Sequence, residues 1–230
     1  MGYYYGFDST YLVLVMPAII FAMWAQSKVN STFSRYQRVR CYSGYTGAQM
    51  ARRILDENGL HHVRVERIAG NLTDHYDPKA EVVRLSDSVY NNASVAAVGV
   101  AAHETGHAVQ HATGYGPLVA RNAIIPLTNF GSKLSMPLIL LGFLLNSSAL
   151  LDLGIIAFSM ATLFQLITLP VEFNASTRAL NTLNGFMSGE ELSGTKKVLT
   201  AAALTYVAAL MVSAMQLLRL IILANNRRRD

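Results

Sequence analysis

Ala101-Ala102-His103-Glu104-Thr105-Gly106-His107-Ala108-Val109-Gln110 is the stretch around which the rest of the chain can be organised. Positions i and i+4 of an α-helix lie one turn apart on one face. His103 and His107 can therefore aim their imidazoles at a single ion, with Glu104 beside them. A catalytic zinc takes three protein ligands and keeps a fourth position for water, whose pKa it lowers to about 7. Two histidines are an incomplete set, so a third ligand has to come from elsewhere in the chain. Glu104 has the chemistry of a general base: it would take a proton from that water as it attacks a peptide carbonyl, then pass it to the leaving amine.

The His-Glu-x-x-His pattern arises by accident in roughly one chain in a few hundred, so its setting matters. The preceding run from Ser94 to Ala102 is small, apolar and free of proline, and Ser94 is a suitable N-cap. The histidines thus fall inside a buried helix. The plain alternative is a core helix with hydrogen-bonded histidines, which leaves a glutamate buried between them at considerable cost unless its charge is compensated.

The composition points to a membrane. Of 230 residues, 52% are hydrophobic and only 14% charged, against about 25% in globular domains. The apolar residues are gathered into long runs. A net charge of +5 with clustered arginines suits anionic lipid at helix ends. No basic stripe interleaved with aromatics favours nucleic acid. The single cysteine, Cys41, excludes an internal disulfide framework and leans towards a reducing compartment.

Tyr3-Tyr4-Tyr5 reads as an aromatic belt ahead of a first span from Tyr11 to Ala25. That span lacks a basic leader and a cleavage site, so it is read as a retained anchor. Thr46-Gly47-Ala48-Gln49 matches a capping box, and Met50, Ile54 and Leu55 continue at helical spacing to a stop at Gly59. Alternation from His62 to Ile68 favours a strand. Asp74-His75-Tyr76-Asp77-Pro78 then leads into a second strand at 80–85. An exposed edge of this small sheet could hold an extended peptide across a metal.

After a break at Thr113-Gly114-Tyr115-Gly116-Pro117, apolar runs from Leu134 to Leu145 and from Ala149 to Val171 read as a helical hairpin bent by Pro126 and Pro137. Residues 181–197 are polar and glycine-bearing and read as a loop with one short helix. A fourth apolar run, Val198 to Leu218, precedes the tail Arg227-Arg228-Arg229.

His111 cannot complete the metal site, because it lies about 12 Å beyond His103 along the same helix. The extended spacing with a third histidine also fails, since Gln110 and Thr113 stand at the decisive positions. Glu172, directly after an apolar span and Pro170, is the better candidate, because a carboxylate there needs a reason. Its plain alternative is a helix-start glutamate favoured by the dipole.

His103-Glu104-Thr105-Gly106-His107, the later Pro170-Val171-Glu172-Phe173-Asn174-Ala175-Ser176 and the upstream Asp74-His75-Tyr76-Asp77-Pro78 resemble the bacterial membrane-bound neutral zinc metallopeptidases of the YugP-like group. The likeness runs from the first span to the last. More distantly, the pattern is similar to the HtpX and CAAX prenyl proteases, the glutamate-ligand zinc proteases or gluzincins. The resemblance implies a zinc site of His103, His107 and Glu172, with Glu104 as base. Asn174, Thr177 and Ser176 depart from those patterns, which place aspartate, arginine and aspartate there. A neutral surround would orient the ligating histidines less strongly than a carboxylate does. For the oxyanion donor His75, Tyr76, His111, Tyr115 and Arg178 are eligible, with Arg178 and His75 placed first.

The expected fold is an α-helical membrane protein with a small α+β zincin-like catalytic unit: an HExxH helix, a short edge sheet and a glutamate-bearing helix. Residues 1–26 form an N-terminal membrane helix, 27–131 the HExxH region, 132–171 a membrane hairpin, 172–197 the third-ligand helix and loop, and 198–230 a C-terminal membrane helix with its basic tail. Lys28, Arg35, Arg38 and Arg40 follow the first span, so the positive-inside rule puts a multi-pass cell-membrane protein's active site in the cytoplasm. The arginine tail opposes that orientation unless the last helix is incomplete or interfacial. The expected activity is zinc-dependent hydrolysis of peptides or membrane-associated proteins in contact with the bilayer. The alternative is a catalytically weak or inactive zinc-bound scaffold or adaptor. A metal-gated transporter is disfavoured, since the histidines lie in the polar part of the chain.

Overall fold

The computed structural model describes residues 9–227. A π-helical turn, Tyr11–Val15, leads into α1 (Met16–Gln37). There follow α2 (Gly47–Glu57), β1 (Arg64–Ile68), β2 (His75–Asp77), β3 (Val82–Ser86), α3 (Asp87–Tyr90) and α4 (Val95–Ala112). Three long helices complete the order: α5 (Gly116–Leu144), α6 (Ser148–Leu183) and α7 (Gly189–Arg227). Tyr3-Tyr4-Tyr5 and Arg228-Arg229 lie outside the described residues.

Four helices, Tyr11–Gln37, Gly116–Leu144, Ser148–Leu183 and Gly189–Arg227, are long and apolar enough to cross a membrane. About 20 residues cover the hydrocarbon core, so each has length to spare. Their large side chains face outward: Leu144 is 80% exposed and Leu140 61%. Lipid accepts such a surface, whereas water penalises it.

The chain divides into two compact units. One comprises the chain up to Ala25, Ala120–Leu169 and the chain from Thr205. Its core is Ile139, Leu151 and Leu220, with Phe143, Ile155 and Phe158 packed on them. The α5–α6 turn passes through Asn146, whose φ of +52° lies in the left-handed region. Arg227 closes this end, donating to Asn146 Oδ1 at 2.7 Å and to the Phe143 carbonyl at 2.9 Å. That carbonyl belongs to the last turn of α5, which has no partner of its own within the helix. Thr162 and Ser213 share a hydrogen bond of 2.6 Å between two apolar helices.

The other unit comprises Gln26–Val119 and Pro170–Leu204. Its sheet has the order β1-β3-β2, with β1 parallel and β2 antiparallel to β3. β3 is central and buried, and β2 is an edge. The segment expected only to lead into a strand is thus a strand itself: His75, Tyr76 and Asp77 pair with Arg84, Val83 and Val82. α2 presents Ala51 and Leu55 to one buried cluster, with Val83, Leu85, Ala97 and Ala101. Met50 and Ile54 from the same helix enter a second, with Val98, Ala102, Leu183 and Leu199. α4 contributes to both, because its small residues let neighbours approach from opposite sides.

α2 starts as the sequence predicts. Thr46 Oγ1 accepts from the Gln49 amide at 3.3 Å, and Gln49 Oε1 accepts from the Thr46 amide at 2.9 Å. It stops before Gly59, at a φ of +71°. Thr46→Ala is expected to lower stability by about 1 kcal/mol without altering metal content, as read by denaturant melts in detergent.

Two sequence expectations are corrected. Glu172 does not open a new helix: α6 runs unbroken from Ser148 to Leu183 with Pro170 inside it. Residues 189–197 are not loop but the first turns of α7. Ser188 Oγ accepts from the Glu191 amide at 3.3 Å, and Glu191 Oε2 accepts from the Ser188 amide at 2.7 Å, a second capping box.

Candidate metal centre

α4 begins where Ser94 Oγ accepts from the Ala97 amide at 3.2 Å. From that start, helical periodicity sets His103 and His107 one turn apart on one face, their ring centroids 4.8 Å apart and their planes nearly perpendicular. α6 brings Glu172 to the same point. Its Oε2 lies 3.3 Å from His103 Nε2 and 3.5 Å from His107 Nε2. One ligand atom from each of the three residues lies within 4.8 Å of the others. Because Glu172 sits in mid-helix, the dipole of a helix start does not account for it.

The set suits a zinc ion. Bonds of about 2.0–2.1 Å at tetrahedral angles separate adjacent ligand atoms by about 3.3–3.4 Å. The two distances from Glu172 agree with that spacing. The carboxylate is 5% exposed, so its charge is buried among donors able to hold a cation.

Gly106 allows this meeting. A Cβ on it would stand 2.9 Å from the Ala175 carbonyl oxygen and 3.4 Å from Ala175 Cα. α4 and α6 therefore touch backbone to backbone between the two histidines.

The remaining ring nitrogens are held by neutral groups. His103 Nδ1 is 3.2 Å from Ser176 Oγ, and His107 Nδ1 is 3.0 Å from Gln110 Oε1. Gln110 is fully buried and donates through Nε2 to the Val171 carbonyl at 2.8 Å and to Asn174 Oδ1 at 3.0 Å. Arg178 donates from Nε to the same Asn174 oxygen at 2.8 Å. The order of donors fixes every member. Arg178 has only donors, so Asn174 must show it oxygen; Asn174 and Val171 then both require the Gln110 nitrogen. Gln110 is left to present its oxygen to His107, whose Nδ1 donates to it, leaving Nε2 as the ring nitrogen that could bind a metal. This amide relay takes the place of the carboxylate absent at Asn174.

Gln110→Ala is therefore expected to weaken zinc binding about 10- to 100-fold, read by competition with a chromogenic chelator, with helix content unchanged.

Glu104 is partly buried, and no hydrogen bond or ion pair holds its carboxylate among the described residues. Burial pushes it above the ordinary carboxylate value; His103 and His107 oppose the rise, while Glu172 and Asp74 add to it.

The two oxyanion donors placed first by sequence do not join the converging groups. His75 Nδ1 lies 2.9 Å from the Thr73 carbonyl, and its Nε2 faces Arg84. Arg178 is engaged by Asn174. Tyr76 from β2 meets His111 from α4, with Oη 3.0 Å from Nδ1. The Tyr76 phenol is pushed up to about 12, mainly by burial, with Glu81 and Asp77 contributing. Tyr115 Oη is 3.5 Å from the Pro170 carbonyl.

Gln110 was legible only as the residue that breaks an extended histidine pattern. Asp74 gave no signal of its role, which is to accept from the Ser86 amide at 2.7 Å and from its hydroxyl at 2.9 Å, tying the preceding turn to the end of β3.

A family model described as "Putative neutral zinc metallopeptidase" matches residues 11–225. A protein of Bacillus subtilis (strain 168) named "Putative membrane protease YugP" is 53% identical over 220 residues, covering 95% of this chain and 98% of that protein. No solved structure matches the chain.

Proposed function

The chain belongs to the neutral zinc metallopeptidase family, and from that premise we propose that it is an integral membrane endopeptidase whose zinc is held by His103, His107 and Glu172. The observation that carries this reading is the convergence of those three side chains on the helix that also presents Glu104. A zinc ion there supplies Lewis acidity, lowering the pKa of water and polarising a carbonyl. Glu104 takes the proton of the attacking water on a carboxylate oxygen. It returns that proton to the amine nitrogen as the C–N bond breaks.

Substrate binds as an added strand on the free edge of β2, the strand whose Tyr76 reaches α4 through His111. Tyr76 stays protonated at neutral pH and can donate to the developing oxyanion by turning its hydroxyl from His111. Arg178 is a positioning residue at the end of the amide relay. The four long apolar helices support a multi-pass enzyme, and the basic residues after the first span favour a site on the cytoplasmic side.

The test pairs metal content with cleavage of casein by the full-length chain in detergent. About one zinc per chain and cleavage stopped by a chelator are expected. A zinc-loaded chain that cleaves no extended substrate would overturn the enzyme reading and leave the scaffold.

A further inference from the structure

On α1, Lys28, Thr32 and Arg35 recur at helical spacing and share one face. On α7, Lys196, Lys197 and Thr200 do the same. Both sets line one groove of about 420 Å³. Its lining has no carboxylate, and Ala201 and Leu204 continue it onto apolar surface. The four cations are exposed. None of them forms an ion pair among the described residues, although carboxylates hold Arg52, Arg53, Arg64, Arg67 and Arg84. Gathering like charges costs energy unless an anion offsets it.

The position narrows the anion. Lys28 follows the apolar run of α1 by one turn after Trp24, and Lys196 and Lys197 directly precede the apolar run that starts at Val198. Both sets lie where a hydrocarbon-spanning segment meets water, the level of lipid headgroups. The threonine hydroxyls beside four cations match a group with several acceptor oxygens and a negative charge.

We infer that the α1–α7 groove binds one phosphate anion, presented as the headgroup of an acidic phospholipid. Lysine and arginine from both helices hold the phosphoryl oxygens, Thr32 and Thr200 complete the donor set, and the acyl chains follow the apolar surface beyond Leu204. The site is separate from the zinc ligands and does not depend on the peptidase reading.

The test is native mass spectrometry of the full-length chain in neutral detergent, titrated with short-chain phosphatidylglycerol or phosphatidylcholine. One phosphatidylglycerol per chain is expected, with about tenfold or greater preference over phosphatidylcholine. Lys196→Gln with Lys197→Gln, and separately Lys28→Gln with Arg35→Gln, should each lower the affinity about tenfold, while Lys79→Gln on the sheet side should not. Unchanged zinc content and helix content show that each variant folds. Millimolar inorganic phosphate separates the sources: failure to displace the lipid supports a lipid site, and complete displacement overturns it in favour of free phosphate. Equal retention of the two lipids, or wild-type retention of phosphatidylglycerol by both double variants, would overturn the site altogether.

Discussion

Glu104→Gln is expected to keep about one zinc per chain and to lower peptide cleavage by about 10²–10⁴-fold. The substitution preserves the volume of the side chain and removes only its ability to take a proton. Among the described residues, the carboxylates nearest to it are already engaged: Glu172 with the two imidazoles, and Asp74 with Ser86. The loss should fall on kcat with KM little changed, because the proposed role of Glu104 is to move the proton of the attacking water. Steady-state cleavage of a quenched fluorescent peptide, beside metal analysis of the same preparation, reads both quantities. Retained turnover would exclude Glu104 as the base, and lost zinc would make it part of the metal site.

Gly106→Val should be nearly as damaging by a different route. Its first added carbon would already stand 2.9 Å from a backbone oxygen of α6, and backbone cannot swing aside as a flexible side chain can. α4 and α6 must separate, at a cost of about 1–3 kcal/mol in stability. Separation moves Glu172 away from the histidines. A displacement of about 1 Å is enough to cost 10²-fold in rate, with weaker zinc retention against a chelator. Ser94→Gly, at the far end of α4, serves as the comparison: it loosens the same helix by a few tenths of a kcal/mol and should leave zinc affinity unchanged. If Gly106→Val bound zinc as tightly as wild type, the close contact would not be what sets the ligand spacing.

Local signals carried much of this reading. Thr46 and Gln49 announced α2, Ser94 announced α4, and the spacing of His103 and His107 required a helix. Glu172 was picked out by its chemistry, yet its place was misread, because a proline two residues earlier suits a helix start. Surrounded by apolar residues, a broken helix would strand several backbone groups, and the chain continues through Pro170 at the loss of one N–H. Residues 181–197 looked like loop from their polarity, although Ser188 and Glu191 stood at capping-box spacing and could have been recognised. Gln110, Asn174 and Gly106 were beyond local reading. Their roles exist only where α6 crosses α4, and no periodicity reports which residues from distant stretches will meet.

The order in which the ligands leave the ribosome gives the split site a consequence for biosynthesis. His103 and His107 are made first, and all of α5 and the larger part of α6 must follow before Glu172 exists. At translation rates of about 5–20 residues per second, that interval lasts several seconds. Throughout it the nascent chain holds two of its three metal ligands, and the relay that fixes His107 lacks Asn174 and Arg178. The proposed zinc site is therefore incomplete while those residues are still being made. The peptidase proposed above gains its third ligand only when α6 is made.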